Sequence, residues 1–315
     1  MLAGCASGPP LLDYEVASAR VELGNTPFFP QDAYQCGPAA LATVLAANGV
    51  TVSPDALAPH VYLPGRRGSL QAEIVAATRR YGRVPYILEP NLQALLTEVA
   101  AGTPVLVMQN LGLKMLPQWH YAVVIGYDVP ADALVLRSGT DKRLEMNRVR
   151  FQGTWARAGN WAMVAVLPSS PPPTANPVDW LRAASDFEQV GQPELALRAY
   201  AAAADRWPEE PLGWQALANA RYAQGDLSAA EAALRRALQL APSAAAHNNL
   251  AHVLHERGCV AAARTELARG EDMADTDVVR AVLAKTRAVI DDSKPRDARA
   301  CTVPGAPAAI EPGAR

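Results

Sequence analysis

The sequence is short of cysteine, of net positive charge and of long apolar runs. Four cysteines are spread over 315 residues, and no two form a Cys-x-x-Cys pair. That spacing argues against a disulfide scaffold and against a thiolate zinc site, so no metal or cofactor is expected. The 29 Lys and Arg are outnumbered by 31 Asp and Glu, a formal net charge of -2. A nucleic-acid binder normally carries a basic excess, which disfavours that class. No apolar stretch reaches the ~20 residues that a spanning helix needs. Half of the residues are nevertheless hydrophobic and 19% are charged, the balance of a chain that folds around a core. Its length suits about two domains.

The stretch PSSPPPTANP, 168–177, divides the chain. Rich in proline, it reads as a semi-rigid linker, placed at 169–176. Before it the signals are mixed. Residues 38–48 read as a helix, with Pro38 in the first turn and Asn48-Gly49 as its stop. Residues 69–81 and 91–101 also read as helices, with Ser69 and Asn91 as expected N-caps. PVLVMQN, WHYAVVIGYD, ALVLRSG and NWAMVAVLP are short apolar runs between turn residues, and so strands. Helices followed by strands predict an α+β domain over 20–168.

After the linker the chain is alanine-rich and periodic. Trp180 and Trp214 are 34 residues apart, as are Gly191 and Gly225, Ala196 and Ala230, Ala203 and Ala237, and Pro208 and Pro242. Leu250, Gly258, Ala263 and Leu267 follow Leu217, Gly225, Ala230 and Leu234 at a distance of 33. This pattern resembles the tetratricopeptide repeat and implies an all-α solenoid of about three repeats over 177–292, closed by a capping helix at 276–290. Residues 293–315 form a tail. The concave face of such a solenoid normally receives an extended peptide or protein partner.

The chemistry concentrates in QDAYQCGPAAL, 31–41, and HYAVVIGYD, 120–128. Cys36 sits at an expected helix start, where unpaired N–H groups and the helix dipole favour a thiolate. Gly37 would let a substrate backbone approach. Of five histidines, His247, His252 and His255 lie in the repeats and His60 in a proline-flanked loop, whereas His120 opens a strand. Period-2 alternation puts it on one face with Ala122, Val124 and Gly126. Cys36 as nucleophile, as half of a disulfide or as a small core residue all remain open on these grounds.

Together the two blocks resemble those of the C39-like, papain-fold cysteine peptidases, over residues 20–168. The resemblance implies Cys36 as nucleophile, His120 as general base and Gln31 as an oxyanion donor beside the Cys36 N–H. The family usually orients the histidine with Asp or Asn on the following strand. Here that strand reads ALVLRSGTDKR. The third member is Ser138, Asp141 or neither. Pairing Asp128 with Ala133 sets His120 opposite 141, unless a bulge at Ser138-Gly139 breaks the count.

The opening MLAGCASG resembles a bacterial lipobox in 1–19, with Cys5 as the lipidated residue. Ala6 and Ser7 in place of Asp imply the outer membrane and a periplasmic setting. An oxidising compartment then favours a Cys259–Cys301 disulfide. Arg66, Arg67, Arg79 and Arg80 could favour an acidic partner. The expectation is a lipid-anchored periplasmic cysteine peptidase whose repeats recruit a protein. The alternatives are a catalytically degenerate scaffold for protein–protein interaction and an acyltransferase on the same fold.

Overall fold

The computed structural model describes residues 9–30, 35–66 and 68–292. The chain divides into two compact units, Met1–Leu195 and Ala196–Arg315. In chain order the first holds β1 (Arg20–Glu22), α1 (Cys36–Ala47), α2 (Pro54–Val61), β2 (Tyr62–Leu63), β3 (Gly68–Ser69), α3 (Gln71–Arg80), β4 (Val84–Ile87), α4 (Leu92–Ala100) and β5 (Val105–Asn110). It continues with β6 (Trp119–Asp128), β7 (Ala133–Ser138), β8 (Asp141–Asn147), α5 (Arg148–Ala156), β9 (Ala162–Val166) and α6 (Pro177–Gln189).

The expected α+β organisation is present. Seven strands form an antiparallel sheet in the order β4-β9-β5-β6-β7-β8, with β1 as a further partner of β6. β6 is long enough to take two neighbours on one side: β5 pairs Trp119–Val124 and β1 pairs Gly126–Asp128. A Cβ on Gly126 would overlap the Val21 carbonyl oxygen, so the glycine is what lets β1 lie against β6. α1 covers this sheet. Its Leu41, Val44 and Leu45 pack with Tyr121, Val123 and Ile125 of β6 and with Met163 and Ala165 of β9, all fully or nearly fully buried.

The short strands β1, β2 and β3 had no legible signal, and neither had four longer elements. α2 contains Pro54 and Pro59, yet Ser53 caps it by accepting from the Ala56 N–H, and Pro54 takes the first turn, where no donor is needed. His60 therefore lies on a helix, not in a loop. β4 contains Pro85, a residue tolerated because β4 is a sheet edge. β8, DKRLEMN, is the opposite edge and largely exposed, which removes the alternating pattern. α5 carries its apolar signal mainly as Phe151 and Trp155, one turn apart and in ring contact at 5.6 Å. Asn91 does cap α4 through the Ala94 N–H, but α3 is preceded by Leu70, and Ser69 belongs to β3 instead of capping.

The proline-rich stretch is irregular but held. Buried Glu98 accepts hydrogen bonds from the Thr174 N–H at 2.9 Å and its hydroxyl at 2.5 Å. The Asn176 N–H donates to the Tyr86 hydroxyl at 3.2 Å, and the Tyr86 and Trp180 rings are 6.4 Å apart. α6 is thus part of the first unit, with Asp186 paired to Arg79. Of the four arginines singled out above, Arg79 is engaged in this pair and Arg80 contacts His60, while Arg67 lies outside the described residues.

The helices continue with α7 (Pro193–Arg206), α8 (Pro211–Ala223), α9 (Leu227–Leu240), α10 (Ala244–Glu256), α11 (Val260–Asp272) and the expected capping helix α12 (Asp277–Asp291). Gly191, Gly225 and Gly258 stand at φ of +73°, +78° and +82°, which explains why the repeat keeps glycine after each first helix. Ala218, Ala230, Leu234, Leu250, Ala251, Leu254, Ala263 and Leu267 form one core with Leu283 and Ile290 of α12. Cys259 is buried at the start of α11 and is a disulfide cysteine; Cys5 and Cys301 lie outside the described residues. No described helix is long and apolar enough to cross a membrane.

Gly126→Ala is expected to lower stability by about 1–3 kcal/mol, because the new Cβ meets backbone, which cannot swing aside. Urea unfolding measures it. An unchanged midpoint would mean that β1 does not hold this register.

Candidate active site and repeat groove

Cys36 begins α1, with Gln35 in the N-cap position. The Cys36 and Gly37 N–H groups have no intrahelical partner there, and Pro38 has no N–H to satisfy. The backbone N–H groups of Tyr121, Gly37 and Cys36 lie near the half-buried thiol and favour its thiolate. Tyr121 is the residue after His120, so the two sequence blocks meet through the backbone of β6. Burial outweighs these donors and raises the thiol pKa above that of a free cysteine. The expectation of a thiol depressed by the helix start is therefore reversed: desolvation of the thiolate is the larger effect.

Gly37 has a different neighbour from the one its position suggested. A Cβ there would overlap the Ser69 side chain. The residue gives clearance to β3. Ser69 Oγ is buried with no hydrogen-bond partner, and the Ser69 carbonyl accepts from the Tyr121 hydroxyl at 3.3 Å. Ser69 carried no sequence signal as a neighbour of this site; only the fold of the β2–β3 hairpin brings it there.

His120 stands near the start of β6, and its Nε2 is hydrogen-bonded to Ser138 Oγ at 2.8 Å. Burial lowers the imidazole pKa. Ser138, at the end of β7, is itself buried. Asp141 is not the partner: it is exposed, across the β7–β8 turn and paired with Ser138. The hairpin count holds from Asp128↔Ala133 to Gly126↔Val135 and then slips by one at a bulge between Val124 and Gly126. Beyond the slip Val123 faces Arg137, so Ser138 comes level with Ala122, on the sheet face that His120 shares, and its hydroxyl reaches the ring diagonally. The bulge lies on β6 rather than at Ser138-Gly139. No hydrogen bond joins Cys36 to His120 among the described residues, and Gln31 lies outside them. Burial disfavours the charged form of both groups.

In the second unit, a cavity of about 310 Å³ is lined by Ala218, Asn219, Tyr222, Leu234, Asn249, His252 and Val253. Asn249 Nδ2 donates to Asn219 Oδ1 at 3.1 Å across adjacent repeats, and His252 Nε2 bonds the Thr286 hydroxyl at 2.9 Å. Amide groups over an apolar floor suit an extended polypeptide.

Residues 23–163 match the Peptidase_C39 like family, and residues 181–245 and 215–277 match the Tetratricopeptide repeat. The chain therefore carries a C39-like peptidase domain followed by tetratricopeptide repeats. Among solved structures, a Bacillus anthracis protein assigned as a C39-like peptidase is 21% identical, with a TM-score of 0.39 over 47% of this chain and 97% of that one. The peptidase domain of Streptococcus ComA, a bifunctional ABC transporter of a quorum-sensing pathway, is 24% identical, with a TM-score of 0.37 over 45% and 99%. The Yersinia enterocolitica type III secretion chaperone SycD, in complex with a YopD peptide, is 16% identical, with a TM-score of 0.34 over 36% and 88%. No curated protein matches the chain.

The raised thiol pKa sets a measurable profile. Below the pKa of free cysteine, Cys36 should be alkylated by iodoacetamide more slowly than a free thiol, with the rate rising at more alkaline pH. A midpoint below that of free cysteine would mean that a positive charge reaches the sulfur.

Proposed function

We propose that the first unit is a cysteine peptidase in which Cys36 attacks a peptide carbonyl and His120 carries the proton. The observation that supports this most is the meeting of the Cys36 helix start with β6 one residue past a histidine already hydrogen-bonded to a following-strand residue. For His120 Nδ1 to act as base, Nε2–H must donate to Ser138 Oγ, leaving the Nδ1 lone pair free. Nδ1 then takes the thiol proton as sulfur bonds to the carbonyl carbon. The resulting oxyanion faces the Cys36 N–H and, in this reading, Gln31. The imidazolium returns the proton to the leaving amine, and the C–N bond breaks. Water, deprotonated by the same nitrogen, cleaves the thioester to a carboxylic acid and restores the thiol. Base catalysis requires the ring within hydrogen-bond reach of sulfur, a contact that unliganded enzymes often form only with substrate.

Ser138 makes this a weaker pair than one backed by a carboxylate. A hydroxyl orients the ring but gives the imidazolium no opposite charge. A neutral resting pair with base-assisted attack follows from this, as opposed to a preformed thiolate–imidazolium pair. The repeat cavity, with Asn219 and Asn249 at adjacent repeats, is proposed to hold an extended protein segment. An epoxide-type thiol probe should label the full chain at Cys36. Cys36→Ala should abolish labelling and lower peptide hydrolysis by roughly 10⁴ or more, and His120→Ala should come close to that loss. Hydrolysis that survives Cys36→Ala, or a folded chain that neither labels nor cleaves, leaves only the scaffold reading. Transfer of the acyl group to an added amine in preference to water marks an acyltransferase.

The chain is further proposed to be anchored through Cys5 at the periplasmic side of the outer membrane, with Cys259 bridged to Cys301. One unreduced peptide map of the native protein checks both. It should contain an acylated peptide beginning at Cys5 and a Cys259–Cys301 linked pair. An unmodified N-terminal segment removes the anchor, and a Cys301 thiol open to alkylation removes the bridge.

A further inference from the structure

The hairpin connecting β5 to β6 points apolar side chains outward. Leu113, Met115 and Leu116 are 72%, 92% and 76% exposed, and Leu111 and Trp119 at the base are 41% and 53% exposed. Five large apolar residues on one short loop exceed the scattered single exposures normal for a protein surface. The loop is also built. Buried Asn110 accepts from the Gly112 N–H at 3.0 Å and the Gln118 N–H at 2.9 Å through the same side-chain oxygen. The Leu111 N–H donates to the Gln118 carbonyl and the Leu116 N–H to the Leu113 carbonyl. A Cβ on Gly112 would overlap the Leu116 carbonyl oxygen, so the turn closes tightly. Arg157 donates to the Asn110 carbonyl from outside the loop at 2.9 and 3.2 Å.

Several surfaces could take such residues, and the shape chooses among them. A peptide side chain is received in a concavity, whereas these side chains protrude. The Leu116 N–H and the Leu113 carbonyl are paired inside the hairpin, which reduces the cost of bringing this turn into an apolar phase. The charge agrees: residues 111–119, LGLKMLPQW, hold Lys114 and no acidic residue, and exposed Arg157 stands at the base. Leucine and methionine at the tip, tryptophan at the base and a flanking cation match the interfacial zone of a bilayer with anionic headgroups. We infer that the β5–β6 hairpin inserts Leu113, Met115 and Leu116 into the surface of an anionic lipid bilayer, holding the His120 end of β6 next to that surface. The inference is independent of peptidase activity and of the Cys5 anchor.

Flotation of the full chain with Cys5→Ser, so that no acyl chain contributes, tests it. Vesicles of phosphatidylethanolamine and phosphatidylglycerol should bind this protein. The triple variant Leu113→Ser/Met115→Ser/Leu116→Ser should lose about 100-fold or more in partitioning, at roughly tenfold for each well-buried side chain. Lys114→Glu should lose about fivefold on these vesicles, with little change on phosphatidylcholine alone. Thermal melting of the variants shows that the fold is kept, since all four positions are at the surface. Absence of binding, or equal binding by the triple variant, overturns the inference. So do two other results: a dimer in sedimentation that the triple variant abolishes, which makes the loop a contact between copies, and unchanged flotation with loss of cleavage at apolar peptide sites, which makes it a substrate subsite.

Discussion

The packing of α1 on β6 is the constraint on which the first unit depends. Leu41, Val44 and Leu45 bury themselves on Tyr121, Val123 and Ile125, and this contact fixes where the first residue of the helix falls along the strand. Because Cys36 is that first residue, its sulfur comes near the backbone of Tyr121, one step from His120. The same burial that fixes the position also dries the thiol and raises its pKa. Geometry and acidity are therefore in opposition at this site: the hydrophobic contact that builds the pair also disfavours its charged form.

The register of the β6–β7 hairpin decides the histidine's partner. A slip of one residue beside Gly126 puts Ser138 on the face of the His120 ring, diagonal to it, and the β7–β8 turn separately carries Asp141 into solvent. Gly126 has a second duty, since β1 crosses it closely. One short Ile-Gly-Tyr stretch thus sets both the edge pairing of the sheet and the chemistry opposite the thiol.

The repeats obey different physics. Alanines at matched positions let neighbouring helices approach, and leucines fill the remaining space, so the core runs from repeat to repeat into α12. The first helix with repeat character, α6, nevertheless shares the first unit's packing through Trp180 beside Tyr86 and Asp186 with Arg79. The proline-rich stretch before it is pinned through Glu98, so composition alone overstated its independence.

Much of this was legible in the residues. The period of 34, the left-handed glycines and the alanine core positions are short-range features, written directly into the sequence. The long apolar strands and the helix after Cys36 were legible for the same reason: each carries its own periodicity. β4, β8, α2 and α5 were not, because an edge strand, a proline-bearing helix and a mostly polar helix take their conformation from what they lie against. The sequence by itself determined which residues could do chemistry, the thiol and the imidazole. Only the tertiary structure decided that Ser69 lies against Gly37, that Ser138 holds the ring, and that the thiol is raised in pKa. Each of those depends on a register or a desolvation set by residues far away in the chain, and no local pattern encodes either.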